Sequence, residues 1–143
     1  MPFTYAQDTG ALFDPNGVLL VRGYSGNTTG LNNPMAQNRV GVGPLPQGVY
    51  TIGPPHSPVD HLGPLALPLY PDHANAMFGR SGFFMHGDNS KMNHTASNGC
   101  IIMPPQVRKT VNEAYVKKLH VVATEVEARD LYVPAPIPLV VTA

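Results

Sequence analysis

Glycine and proline interrupt this chain so often that long helices have little room to form. Of 143 residues, 14 are glycine and 16 are proline. Proline locks φ and removes an amide donor, while glycine adopts backbone conformations closed to other residues. Only 13% of the residues are charged, so the stretches between these breaks read as short apolar strands joined by turns. Asp14-Pro15-Asn16-Gly17 is a strong turn signal, because proline presets φ and Asn-Gly accepts positive φ. Strands are predicted over residues 3–7, 11–13, 18–24, 49–52, 83–86 and 119–123. Residues 65–70 are apolar, but Pro68 marks them as an edge strand. One stretch breaks the pattern. Val107, Val111, Ala114 and Tyr115 recur at helical spacing between Pro105 and Lys118, which predicts one helix there. The expected architecture is mostly β: one compact domain over residues 1–123, then a proline-rich tail or strap over 124–143.

Charge and hydropathy exclude whole classes of partner. Formal net charge is zero, so no basic surface is offered to nucleic acid. No apolar run reaches the roughly 20 residues that span a bilayer, so no membrane insertion is expected. Residues 1–8 lack a basic segment followed by an apolar one, so no secretory signal is expected. The chain is therefore expected to be made in the cytoplasm and carried out, if at all, by another route.

Cys100 is the chain's single cysteine and can make no internal disulfide. It stands in Ser97-Asn98-Gly99-Cys100-Ile101, after His86-Gly87. Small residues before a cysteine suit a sharp turn that presents the thiol beside backbone N–H groups, here those of Gly99 and Cys100. A free thiol has a pKa of about 8.5, so a histidine such as His86 is needed to make it nucleophilic near neutrality. A buried, inert cysteine is the competing reading. Arg80 can clamp a carboxylate or serve as an ordinary surface charge. Asp88 can orient His86, bind an amine or cap its loop. His94 reads as a bystander in the loop before the cysteine. His56, His61 and His73 read as surface residues, and His120 as a structural residue of the last strand. A zinc site from His86, Asp88, His94 and Cys100 is a further alternative, but no characteristic ligand spacing supports it. No metal and no cofactor is expected.

The ordered motifs resemble a known family. His86-Gly87, a loop, and Ser97-Asn98-Gly99-Cys100-Ile101 are similar to the signature of the YkuD-type L,D-transpeptidases. Residues 43–52 resemble an earlier segment of those enzymes. Tyr24-Ser25-Gly26, Asn32-Asn33-Pro34 and Gly79-Arg80-Ser81-Gly82-Phe83 are closer to a compact branch, the L,D-transpeptidase-like effectors of bacterial type VI secretion. The resemblance implies a β-sandwich with the cysteine at the end of a cleft. It implies Cys100 as nucleophile, His86 as base, the Gly87 carbonyl orienting that base, and Ser97 and Gly99 shaping the turn and oxyanion site. Tyr24, Arg80 and Asp88 complete the set as substrate-binding residues. Many members carry arginine two residues after the cysteine, where this chain has Ile102; Arg80 is the candidate to hold the turn instead. The implied substrate is the peptidoglycan stem tetrapeptide. The implied setting is the periplasm of a target bacterium, reached through a secretion machine, with an immunity protein as a further partner. The rival readings are a non-catalytic wall-binding or phage-associated module and a metal-dependent peptidase.

Overall fold

The computed structural model describes residues 1–55, 65–89 and 91–133; His56, His61 and the proline-rich residues 134–143 lie outside them. Among the described residues nine strands form in chain order: β1 (Phe3–Ala6), β2 (Ala11–Phe13), β3 (Leu19–Arg22), β4 (Tyr24–Ser25), β5 (Gly48–Ile52), β6 (Leu67–Pro71), β7 (Phe84–His86), β8 (Ile101–Ile102) and β9 (Lys118–Val122). Helix α1 (Pro105–Glu113) precedes β9, and α2 (Glu125–Asp130) follows it. No helix among the described residues is long and apolar enough to cross a membrane.

The strands pair in the order β3-β2-β1-β9-β5-β6-β7-β8-β4. β3 and β4 stand at opposite ends of this order, yet only Gly23 separates them in sequence. The two ends of the sheet must therefore meet, and the sheet rolls around an interior. Gly23 makes the meeting possible: a Cβ there would lie 2.0 Å from the Ile102 carbonyl oxygen and 2.8 Å from the Met103 sulfur. The interior is filled by Phe3, Tyr5, Leu12, Tyr50, Met85, Ile101 and Leu119, all 1% exposed or less. Burying such side chains contributes about 1.5–3 kcal/mol each, before entropy is charged against it.

Three local departures from the sequence reading have physical causes. β6 is not an edge strand; its two neighbours pair with different halves of it. Pro68 lacks the N–H that would face Gly53, so pairing with β5 starts at Leu69, while the Pro68 carbonyl still accepts from the Gly53 N–H at 2.9 Å. The helix after the cysteine stops at Glu113 rather than running to Lys118. Ala114 is extended, the Lys117 ammonium donates to the Asn112 carbonyl, and Tyr115 is fully exposed. The chain must turn there to enter β9 between β1 and β5.

The third departure is α2, a second helix inside the segment read as a tail. Thr124 caps it by accepting from the Glu127 N–H at 3.1 Å. Thr-x-x-Glu is a capping-box spacing that the sequence reading missed. Ala128 packs with Ala6, Phe13 and Val122 on the outer side of the sheet. Glu125 ties the helix down, accepting from both Arg22 and Thr9. Those donors, with Arg129, hold its carboxyl well down, at about 2. A depressed carboxylate pKa stabilises the fold above the ordinary carboxylate range and loses that contribution as pH falls toward the lowered value. Glu125→Gln should therefore lower the melting temperature by a few degrees at neutral pH. The difference should close as pH is lowered from about 4.5 towards 2, followed by thermal denaturation across that range.

Candidate active site

β7 and β8 run parallel, with Met85 opposite Ile101 and His86 opposite Ile102. Side chains alternate along a strand, so Met85 and Ile101 point into the core while His86 and Ile102 share the other face. Cys100, one residue before β8, falls in step with Phe84 and lies on that same face. The Phe84 N–H donates to its sulfur at 3.3 Å. His86 and Cys100 thus lie two residues apart in register on one face of adjacent parallel strands. Tyr24 of β4 lies opposite Ile102 and completes a row Tyr24–Ile102–His86 across three strands.

His86 is buried, and its Nδ1 lies 2.8 Å from the Gly87 carbonyl. Donation from Nδ1 to that carbonyl sets the tautomer and makes Nε2 the basic nitrogen. The Cys100 thiol is pushed up by burial, while the Phe84 N–H and the Arg80 charge pull it back down. Burial thus favours the neutral thiol.

The turn from Ser97 to Cys100 is held by its carbonyls. Asn27 Nδ2 donates to Ser97 O at 2.8 Å, Arg80 Nη2 to Asn98 O at 3.2 Å, Ser25 Oγ to Gly99 O at 3.0 Å and Ser97 Oγ to Cys100 O at 2.6 Å. Four consecutive carbonyls each meet a side-chain donor. Ser97 is fully buried, and its hydroxyl also accepts from Gly26 N–H and Gly99 N–H, at 2.9 and 3.1 Å. This corrects one expectation: the Gly99 N–H is occupied within the turn and is not an oxyanion donor. The Cys100 N–H has no hydrogen-bond partner among the described residues.

The expected substrate-binding residues have other local work. Arg80 is 6% exposed and its donors go to the carbonyls of Gln37, Gly43, Pro44 and Asn98, so it cannot clamp a substrate carboxylate. Its guanidinium carbon sits 5.3 Å from the centre of the Phe83 ring. It braces the cysteine turn against the segment after Gln37. Asp88 is exposed and accepts from the Tyr24 hydroxyl at 2.6 Å and from its neighbour Asn89 N–H at 2.9 Å; the contact that orients His86 comes from Gly87. Tyr24 is buried, its hydroxyl pushed up to about 12 by burial and by Asp88. The same hydroxyl accepts from the Ala96 N–H at 3.2 Å, and His94 meets the Tyr24 ring edge-on at 4.9 Å. Tyr24 therefore pins the loop between base and thiol at three points. His73 is exposed, and His120 is half-buried in β9.

Beyond the Tyr24–Ile102–His86 row lies a cavity of about 450 Å³, lined by Tyr24, Asp88, Met92, His94, Met103 and Arg108. Neither Cys100 nor His86 lines it, although Gly87 and Ile102 do. A larger hollow of about 600 Å³ lies beside α2, against Gln47, His120 and Glu127. The smaller cavity is the one that adjoins the neighbours of His86 and Cys100, through Gly87 and Ile102. No group of three His, Cys, Asp or Glu side chains among the described residues is placed to hold a metal. Sequence reasoning missed Ser25, Asn27 and Arg108. Ser25 lay inside the quoted Tyr-Ser-Gly motif; Arg108 is buried on α1, donates to the Met103 carbonyl at 3.0 Å, and carries no motif.

Gly99 has φ of +132°, and a Cβ there would lie 2.5 Å from Arg80 Nη2 and 2.7 Å from a Phe83 ring carbon. Gly99→Ala should destabilise the protein by about 1–3 kcal/mol in chemical denaturation, from backbone strain and the displaced guanidinium.

With this geometry in view, comparisons place the chain among known proteins. The solved structure of the Ldtfm–avibactam carbamoyl enzyme superposes with a TM-score of 0.51 over 87% of this chain and 49% of the other, at 15% sequence identity. The chain thus spans about half the length of that enzyme chain, and the likeness is one of fold: this is a mostly β, L,D-transpeptidase-like domain. No curated protein matches. The model of the Tlde1 domain matches residues 20–126, a span that takes in His86, the cysteine turn and the residues that brace it. By that match, the chain belongs to the Tlde1 domain family, the L,D-transpeptidase effectors of type VI secretion.

Proposed function

We propose that the protein is a cysteine-dependent enzyme acting on peptidoglycan stem tetrapeptides. The observation that carries this reading is the pairing of His86 and Cys100 on one face of adjacent strands, with the base oriented by Gly87. His86 Nε2 takes the thiol proton, and the sulfur attacks the carbonyl of the diamino acid at position three. The tetrahedral oxyanion is met by the Cys100 N–H. Collapse expels D-alanine, which takes the proton back from His86, and leaves a thioester on Cys100. Water then releases a tripeptide, an L,D-carboxypeptidase outcome. A D-amino acid or a second stem amine releases an exchanged or cross-linked product instead, an L,D-transpeptidase outcome.

Loss or exchange of the terminal D-alanine removes what ordinary cross-linking needs, which suits an antibacterial toxin delivered to the periplasm of a rival cell. A cognate immunity protein and the secretion machinery are the partners this reading implies. The reaction needs no cofactor.

The decisive experiment is mass spectrometry of purified tetrapeptide after incubation with the protein. The wild type should lose or exchange D-alanine. Cys100→Ala should abolish the reaction, and His86→Ala should slow it by roughly 10²- to 10⁴-fold. A folded wild type that leaves the tetrapeptide unchanged sinks the proposal and favours a wall-binding module.

A second measurement follows from the thiol's environment. Burial raises the Cys100 pKa against the Phe84 N–H and the Arg80 charge, and in this reading His86 takes the proton when the thiol reacts. Alkylation of Cys100 by iodoacetamide should therefore proceed near neutral pH in the wild type. In His86→Ala, the midpoint of the pH–rate curve should move above the ordinary thiol range. An unmoved curve would remove His86 from the role of base.

A further inference from the structure

We infer that Ser25 is a positioning residue that aims the oxyanion donor. Its role acts through the Gly99–Cys100 peptide unit, and it rests on the acyl-transfer reading of Cys100. Ser25 is fully buried in β4, and its hydroxyl makes two hydrogen bonds. It accepts from the Leu45 N–H at 2.8 Å and donates to the Gly99 carbonyl at 3.0 Å. The Leu45 N–H takes one of the two lone pairs, and the hydroxyl proton is directed at Gly99 O.

The Gly99–Cys100 peptide is trans. In a trans peptide the C=O and the N–H point opposite ways in one plane. Fixing the Gly99 carbonyl therefore fixes the direction of the Cys100 N–H. That N–H is the one amide of the turn's Gly99–Cys100 pair left to meet an oxyanion, because Ser97 Oγ occupies the Gly99 N–H. Gly99, with φ of +132°, has a backbone that can rotate more freely than any other residue's, so the plane needs an outside anchor. Ser25 supplies it. The chain Leu45 N–H, Ser25 O–H, Gly99 C=O also polarises the peptide, which makes its N–H a better donor.

Leu45 belongs to the segment whose Gly43 and Pro44 carbonyls receive Arg80. The Gly43-Pro44-Leu45 run is thereby tied to the cysteine turn from two sides, through Ser25 at Gly99 and through Arg80 at Asn98.

Two reactions of the same thiol separate aim from mere folding. In acylation by p-nitrophenyl acetate, the sulfur bonds to the ester carbonyl carbon, an oxyanion forms, and p-nitrophenolate leaves to give an acetyl thioester. In alkylation by iodoacetamide, the sulfur displaces iodide at a saturated carbon and no oxyanion forms. Both are read by intact-protein mass. Ser25→Ala should slow acylation by at least about tenfold while alkylation stays near the wild-type rate. Ser25→Thr keeps the hydroxyl and should keep the wild-type ratio of the two rates.

An equal fall in both rates for Ser25→Ala, or no fall in either, overturns the inference. Should Ser25→Ala fail to fold, a folded Ser25→Thr with a lowered acylation-to-alkylation ratio overturns it as well. Wild-type protein that is acylated normally but leaves the tetrapeptide intact would defeat the peptidoglycan reading and leave the role of Ser25 standing.

Discussion

Four side-chain hydrogen bonds to four successive carbonyls hold the turn that carries Cys100. A turn with a glycine at positive φ has no intrinsic reason to keep one shape. Here its shape is imposed from outside by Asn27, Arg80 and Ser25, and from within by Ser97. The donors come from three parts of the chain, so the turn forms only when those parts are together. Each bond contributes about 1 kcal/mol net, but losing one leaves a buried carbonyl unsatisfied, which costs more. The site is therefore as rigid as the packing around it.

The closure of the sheet supplies two of those donors. β4 must reach β8 for Ser25 to meet Gly99 and for Asn27 to meet Ser97, and it does so because β3 and β4 are joined across Gly23. The same closure sets Tyr24 on the row with His86 and lets its hydroxyl pin both ends of the loop between base and thiol. One glycine at the seam thus links the fold to the reacting face.

The site combines a buried cation with a backbone carbonyl as the contact that orients the histidine. His86 leans on a backbone carbonyl, and Arg80 is satisfied by four carbonyls. The guanidinium, paired with no acid among the described residues, lowers the thiol pKa against the rise from burial. Because the charge is fixed in protein rather than water, it is weakly screened.

Much of the plan was legible along the chain. Turn chemistry and short apolar runs marked most of the strands, and Ser97-Asn98-Gly99-Cys100 with His86-Gly87 marked the candidate pair, because those residue types carry their chemistry wherever they stand. Helix α2 is also legible, in its Thr-x-x-Glu cap, although the prolines that follow argue against a helix there. The use of Arg80 as a brace, the loss of the Gly99 N–H to Ser97, and the anchoring of Gly99 by Ser25 were not legible. The partners in all three are backbone groups, which every residue has and which leave no mark in a sequence. Residue types alone determined which side chains could react. Which carbonyls their neighbours would grip was decided only when the rolled sheet brought residues 25, 27, 80 and 97 around one turn.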